Sequence, residues 1–173
     1  YLLSGGDYDA AARPGDPNTI VYSKYQYETA RDGNQRSLAS LVALNTATGT
    51  SVELTPILDN DSQAAWSPDG NYIVYMKTSD DMKSTSLWVT AFHAPGDPND
   101  NVKAHELLSG NSFVSDPVFS PDGKDLAYLS TGDDGRLHLY TAQIHLGANP
   151  TIDHIQEVQR AGVVDGDRLV WGH

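Results

Sequence analysis

The chain has 173 residues, 23 acidic against 11 basic, and a net charge of −12. That charge repels nucleic-acid phosphates and anionic membrane surfaces, and no apolar run approaches the roughly 18 residues of a membrane span, so nucleic acid and membrane insertion drop out as partners. Hydrophobic residues at 39% and charged residues at 20% fit an ordered domain, and zero cysteine excludes disulfides, thiolate metal sites and cysteine nucleophiles.

The chain opens on Tyr1 without a basic, apolar leader, which is expected of a processed product or a piece of something longer. The first recognisable element is Asp16-Pro17-Asn18-Thr19-Ile20-Val21-Tyr22, a turn running into a β-branched, aromatic strand. The polar stretch 24–37 then reads as a long loop holding Tyr25, Tyr27, Arg31 and Arg36. Tyr25 and Tyr27 also alternate with polar residues, which is the pattern of an extended preceding strand. Strands follow at 41–44 and 52–55. A connection over 56–62 leads into Ala64-Ala65-Trp66, the turn Ser67-Pro68-Asp69-Gly70, and strands at 72–76, 87–91 and 104–108, with an extended loop at 91–103. A connection over 110–115 carries Phe113. The pattern repeats as Asp116-Pro117-Val118-Phe119, Ser120-Pro121-Asp122-Gly123, and strands at 126–129, 137–141 and 155–158. A partial copy, Asp165-Gly166-Asp167-Arg168-Leu169-Val170-Trp171, closes the chain.

Trp66 and Phe119 stand 53 positions apart, as do Tyr75 and Tyr128, and Asp16 stands the same distance before Asp69. In each turn proline presets a dihedral, aspartate accepts backbone N–H groups, and glycine supplies a positive φ, so each copy is a tight β-hairpin. Four short antiparallel strands in each unit of roughly 50 residues make a β-propeller blade. The expected fold is all-β, a partial propeller over 1–173 with units at 1–56, 57–109, 110–162 and the start of a fourth at 163–173. The ring is incomplete, because even four blades need about 200 residues.

The run from Trp66 to Tyr75 and that from Phe119 to Tyr128 resemble the TolB-like propeller repeat, which also occurs in the propellers of prolyl oligopeptidase relatives. The first copy has Pro-Gly-Asp-Pro-Asn in place of Ser-Pro-Asp-Gly, and the last lacks Ser-Pro. The resemblance implies a non-catalytic protein-interaction scaffold in a periplasmic or extracellular compartment, where zero cysteine is also at home. Its alternative is the accessory, substrate-gating propeller of a hydrolase, such as a prolyl oligopeptidase relative or a polysaccharide-degrading enzyme. The partner is then a protein or the remaining blades of the same propeller, with self-association as a further way to close the ring.

No Gly-x-Ser-x-Gly nucleophile elbow is present, and Gly5-Gly6 and Gly132-Asp133-Asp134-Gly135 are too short to cradle phosphate, so no catalytic residue and no organic cofactor is assigned. His93 and His105, and His145 and His154, flank equivalent connections, which repetition explains without a metal. Acid-rich loops at 7–9, 59–61, 80–81, 96–100, 133–134 and 165–167 offer oxygen donors for Ca²⁺, though none matches the twelve-residue calcium loop. The recurring Asp, Trp66, Phe119, Tyr75 and Tyr128 read as scaffold. The non-recurring Tyr25, Tyr27, Arg31, Arg36 and Phe113 are the candidate partner-binding residues, on a rim of loops.

Overall fold

The computed structural model describes residues 3–29, 33, 35–93, 103–109, 113–158 and 169–171, with backbone alone at 3–8. Its strands form three antiparallel sheets of four, each in simple sequence order. The first holds β1 (Leu3–Arg13), β2 (Asp16–Thr29), β3 (Gln35–Asn45) and β4 (Thr50–Glu53). The second, entered through a short 3-10 turn at Ile57–Asp59, holds β5 (Asp61–Trp66), β6 (Tyr72–Thr78), β7 (Thr85–Ala91) and β8 (His105–Leu108). The third holds β9 (Val114–Phe119), β10 (Asp125–Thr131), β11 (Leu137–His145) and β12 (Thr151–Glu157). The all-β reading and the four-strand unit hold, and the three sheets do not close a ring.

The Ser-Pro-Asp-Gly turn is a small hydrogen-bonded device. The Ser67 hydroxyl donates to Asp69 Oδ1 at 2.5 Å and accepts the Tyr72 N–H at 2.9 Å, while Asp69 Oδ1 also accepts the Asn71 N–H at 3.0 Å. Ser120, Asp122, Lys124 and Asp125 repeat the arrangement. The same geometry closes the β6–β7 hairpin, where Ser79 donates to Asp81 and accepts the Ser84 N–H. That third instance was legible as Ser-x-Asp without the proline and glycine. The first sheet differs from the expected alignment. Its turn is the two-residue Pro14-Gly15 between paired Arg13 and Asp16, so Asp16 starts β2 and receives the Asn18 N–H and the Thr19 hydroxyl. Ser67→Ala strands a part-buried N–H and is expected to cost about 1–3 kcal/mol in urea unfolding. Ser79→Ala strands the part-buried Ser84 N–H in the same way and is expected to fall at the lower end of that range, because Ser79 itself is only half-buried.

The stretch 24–37 is not a long loop. β2 and β3 pair without a break from Thr19↔Asn45 to Thr29↔Gln35, and β1 reaches alongside to Leu3↔Tyr27. Continuing the ladder satisfies backbone groups that a loop would leave to water, and Tyr25, Tyr27 and Thr29 favour the pleat. The alternating pattern outweighed the polarity.

The sheets meet face to face through two apolar clusters. Val21, Leu41, Ala43, Ala64, Trp66, Ile73, Tyr75 and Phe92 fill the seam between the first two sheets. Val74, Leu87, Val114, Phe119, Leu126, Tyr128, Ala142 and Ile144 fill the next. Period-two alternation explains the split: Ile73 and Tyr75 look back, and Val74 looks forward. The first strand of each sheet carries an irregularity with a residue at positive φ, namely Asp9 (56°), Gln63 (55°) and Asp116 (52°). At each seam this freed N–H finds a side chain of the preceding sheet. Gln63 donates to the Ser23 hydroxyl at 3.1 Å, and Asp116 donates to Gln63 Oε1 at 2.8 Å.

Candidate interaction face

Because four antiparallel strands alternate in direction, the loops divide between two faces. The hairpins between second and third strands and the connections between sheets share one face, here the connection face. The Ser-Pro-Asp-Gly turns and the third-to-fourth connections lie on the other.

Exposed apolar side chains follow this division. Tyr27 near the end of β2, Leu58 in the 3-10 turn (70% exposed), Met82 in the β6–β7 turn, Phe113 before β9 (48% exposed) and Leu137 at the start of β11 all belong to the connection face. Among the described residues, the opposite face exposes no large hydrophobic side chain. The others, Ile155, Val158 and Val170, lie on or beyond β12.

The candidate partner-binding residues fall on this face as far as they are described. Tyr25 is half-buried within β2, and Tyr27 is exposed two residues on. Arg36 stands opposite Glu28 in the β2–β3 register. Phe113 sits at the edge of the third sheet, its carbonyl accepting the Thr131 N–H at 3.0 Å. Arg31 lies outside the described residues. Leu58, Met82 and Leu137 were not among the candidates; Leu58 and Met82 are apolar residues in turns, and Leu137 was read as the first residue of a strand. Met82 is held by the Asn60 amide, which donates to its sulfur at 3.3 Å.

Several of the acidic groups are engaged with neighbours. Asp59 pairs with Lys77 at 3.4 Å. His138 bridges Asp134 (2.8 Å) and Glu157 (2.7 Å), and these two carboxylates, Asp134 foremost, raise its pKa above the usual imidazole value. A polar cleft of ≈ 410 Å³ opens beside them, with Asp133 and Tyr140 on its wall. Asp153 takes both His145 (3.1 Å) and His154 (2.7 Å). Among the described residues no three His, Asp or Glu side chains converge on a metal position. The acid-rich stretches at 96–100 and 165–167 lie outside them.

Asp61 stands apart. It belongs to an acid-rich stretch by sequence, yet it begins β5 and is 1% exposed. Its Oδ1 has no protein hydrogen-bond partner. Burial pushes its pKa up to about 7, against the lowering effect of Lys77 and of its hydrogen bond with Thr55.

The three first strands border one cleft of ≈ 320 Å³. Ala11 and Ala12 of β1, Gln63 to Trp66 of β5 and Asp116 to Val118 of β9 line it, together with Leu169 and Val170. Its wall is mainly apolar, with Asp116 as the charged lining residue. First strands gathered around a common axis, with the sheets radiating from them, are the geometry of a propeller's centre.

No family model matches the sequence, and no curated protein does. Among solved structures, the β-propeller domain of the Trilobed protease from Pyrococcus furiosus, which has an open velcro topology, aligns with a TM-score of 0.56 and 13% identity, over 87% of this chain and 43% of that one. The chain is an arc of a β-propeller. TolB from Acinetobacter baumannii aligns at 0.49 and 16% identity, over 85% of this chain and 43% of that one. The tricorn protease aligns at 0.43 and 13% identity, over 79% and 18%. The arc spans less than half the length of these proteins, and at such identities the likeness is one of fold. Each sheet is thus a blade, and the central cleft is a sector of the propeller's channel. No described helix of the arc is long and apolar enough to cross a membrane.

Proposed function

We propose that this arc is a non-catalytic protein-interaction scaffold that docks a protein partner through its connection face, in an extracytoplasmic compartment. One observation carries the reading: Tyr27, Leu58, Met82, Phe113 and Leu137 expose apolar side chains on the same face, while the described part of the opposite face exposes no large hydrophobic side chain. Apolar side chains collected on one face are the raw material of an association site, where the same residues scattered over the surface would not be. Arg36 adds a residue type common at binding hot spots, and so does Arg31 by sequence. The absence of cysteine supports the compartment.

A second reading, the accessory propeller of a hydrolase, draws on the Trilobed protease, whose propeller domain shares this fold. The two readings differ in what the rest of the protein supplies, so the mass and identity of whatever co-elutes with the native particle separates them. A covalently attached or bound hydrolase domain favours the second.

The interaction face is tested by the triple variant Tyr27→Ser, Leu58→Ser, Phe113→Ser. Far-UV circular dichroism and the melting temperature are expected to stay near those of the parent, because all three side chains are exposed. Affinity for the co-purifying partner is expected to fall at least about 30-fold, the size of one lost hot spot. Lys124→Glu, on the opposite face, is the control and should leave binding intact. Unchanged binding in the triple variant would remove this face as the docking surface.

A further inference from the structure

Each blade sets a glutamate of its fourth strand at the same register position against its third: Glu53 opposite Val42, Glu106 opposite Trp88 and Glu157 opposite Tyr140. In the first two blades the second strand brings a lysine to this corner. Lys24 pairs with Glu53 at 3.3 Å, and Lys77, lying 5.3 Å over the Trp88 ring, pairs with Asp59 at 3.4 Å. Lys24 stands opposite Ser40 in the third strand, and Lys77 opposite Ser86. The third blade differs at both positions: Ser130 takes the lysine's place and His138 the serine's. Its first strand differs as well, since Asp7 and Asp61 stand opposite the lysines and Val114 opposite Ser130. A permanent cation on the second strand thus gives way to a titratable one on the third.

We propose that His138 is a proton-operated clamp at the connection-face corner of the third blade: charged, it ties the β10–β11 hairpin to the end of β12, and neutral, it lets one of the two go. The geometry requires the charge. Nδ1 lies 2.7 Å from Glu157 Oε1, and Nε2 lies 2.8 Å from Asp134 Oδ1. A carboxylate only accepts, so both nitrogens must donate, and only the imidazolium carries a proton on each. Neutral imidazole keeps one N–H and turns a lone pair toward the other carboxylate. The ring also has a built seat. It lies against Gly132, where a Cβ would come within 2.8 Å of its Cδ2 and 3.1 Å of its Nε2.

The two links hold different parts of the blade. Asp134 belongs to the hairpin turn, where its Oδ1 also accepts the Arg136 N–H at 3.0 Å, and Glu157 is the last residue of β12. The groups around the ring are mostly acidic. β10 brings neutral Ser130, the hairpin brings Asp133, Asp134 and Arg136, β11 itself brings Tyr140, and β12 brings Glu157. Leu137, next to the histidine, is one of the exposed apolar residues of the connection face, so the clamp fixes the hairpin that presents it. It operates whether or not that face docks a partner.

The direction with pH follows. The two carboxylates, Asp134 foremost, hold the imidazole's pKa above its ordinary 6.5. The clamp is complete below 6.5 and is lost as pH rises through the raised value. In between, the folded blade keeps a proton that the unfolded chain has released, so the stability this group contributes falls with rising pH.

Hydrogen exchange at Gly132 and Val158 tests the clamp, because their N–H groups donate to the Arg136 and Leu139 carbonyls, each at 2.8 Å, in the hairpin and at the end of β12. Rates are taken at about pH 5.5 and about pH 8.5, each referred to the intrinsic rate at that pH. Protection in the parent is expected to fall about threefold or more at the higher pH, the size of an exposed ion pair. The double variant Ser130→Lys, His138→Ser copies the first two blades and is expected to keep the same protection at both. His138→Gln, a single donor group for two carboxylates, is expected to stay at the parent's high-pH level throughout. Equal protection in the parent at both pH values would overturn the clamp, and so would an equal fall in His138→Gln. If the double variant does not fold, a proton NMR titration of the His138 ring decides. A midpoint above 6.5 that both Asp134→Asn and Glu157→Gln lower supports the clamp. A midpoint that only one of them lowers, or neither, refutes it, because the ring then does not bridge the two.

Discussion

Trp66→Ala is expected to lose about 3–5 kcal/mol of unfolding free energy, enough to leave much of a marginally stable arc unfolded at 37 °C. Trp66 is 7% exposed in the first seam and does three things there. Its indole fills the space between β5 and the first blade, within the cluster of Val21, Leu41 and Phe92. Its Nε1–H donates to the Ala11 carbonyl at 2.9 Å, fastening β5 to β1 across the seam. Its ring meets Phe92 edge-on at 4.8 Å, and the Arg13 guanidinium lies 4.8 Å over Phe92 and 5.8 Å over Trp66 while Arg13 Nε donates to the Gly70 carbonyl. Truncation leaves a cavity, strands a carbonyl and unseats the arginine together. Trp66→Phe should lose about 1 kcal/mol, because it keeps the bulk and drops the hydrogen bond. Phe119→Ala, in the second seam, should match the cavity cost without that bond. Urea unfolding measures all three, and a loss below about 1 kcal/mol for Trp66→Ala would mean that the blades do not pack through this residue.

Gly70→Ala is expected to destabilise by about 3 kcal/mol, and Gly123→Ala by only about 1–2 kcal/mol, although both glycines occupy the same place in the repeat. Both have positive φ, 69° and 72°, so an alanine is strained at either. They differ in what stands beside them. A Cβ on Gly70 would come within 2.8 Å of the Pro14 carbonyl oxygen, a backbone atom of the first blade's turn that cannot step aside, and within 3.2 Å of Arg13. A Cβ on Gly123 would meet the Pro68 ring at 3.4 Å, an ordinary contact. The difference between the two variants therefore isolates the seam clash from the turn strain. Equal losses by calorimetry would place the whole effect in the turn.

The blades were legible because the features that build them are local and recur. Proline, aspartate and glycine in a fixed order announce a hairpin, and β-branched and aromatic residues at period two announce the strands on either side. Trp66, Phe119, Tyr75 and Tyr128 were assigned to the core for the same reason, and all four are at most 7% exposed. Where one local signal opposed another, reading was harder. The polar residues of 24–37 suggested a loop, but the tyrosines' alternation there matched the extended ladder that β2 and β3 form. Asp16 was aligned with Asp69 by spacing, yet the shorter Pro14-Gly15 turn displaced it into β2.

The candidate face was legible only in part. Tyr27 and Phe113 stood out as aromatic residues away from the repeat. Leu58, Met82 and Leu137 did not, because single apolar residues in turns or at strand starts are common, and they gain meaning only when strand direction sends all five to one side. Asp61 was hidden more deeply: by sequence it is the third residue of Asp-Asn-Asp, indistinguishable from a solvated turn. By itself, then, the amino-acid order determined the turns, the four-strand blade and most of its strands, β1 and the far end of β2 excepted, because neighbours in the chain supply the dihedral preferences and hydrogen bonds that make them. Which acid is buried, which glycine abuts a backbone and which apolar residues share a face were decided by blade packing against blade, where residues some 50 positions apart set each other's solvent, charge and space.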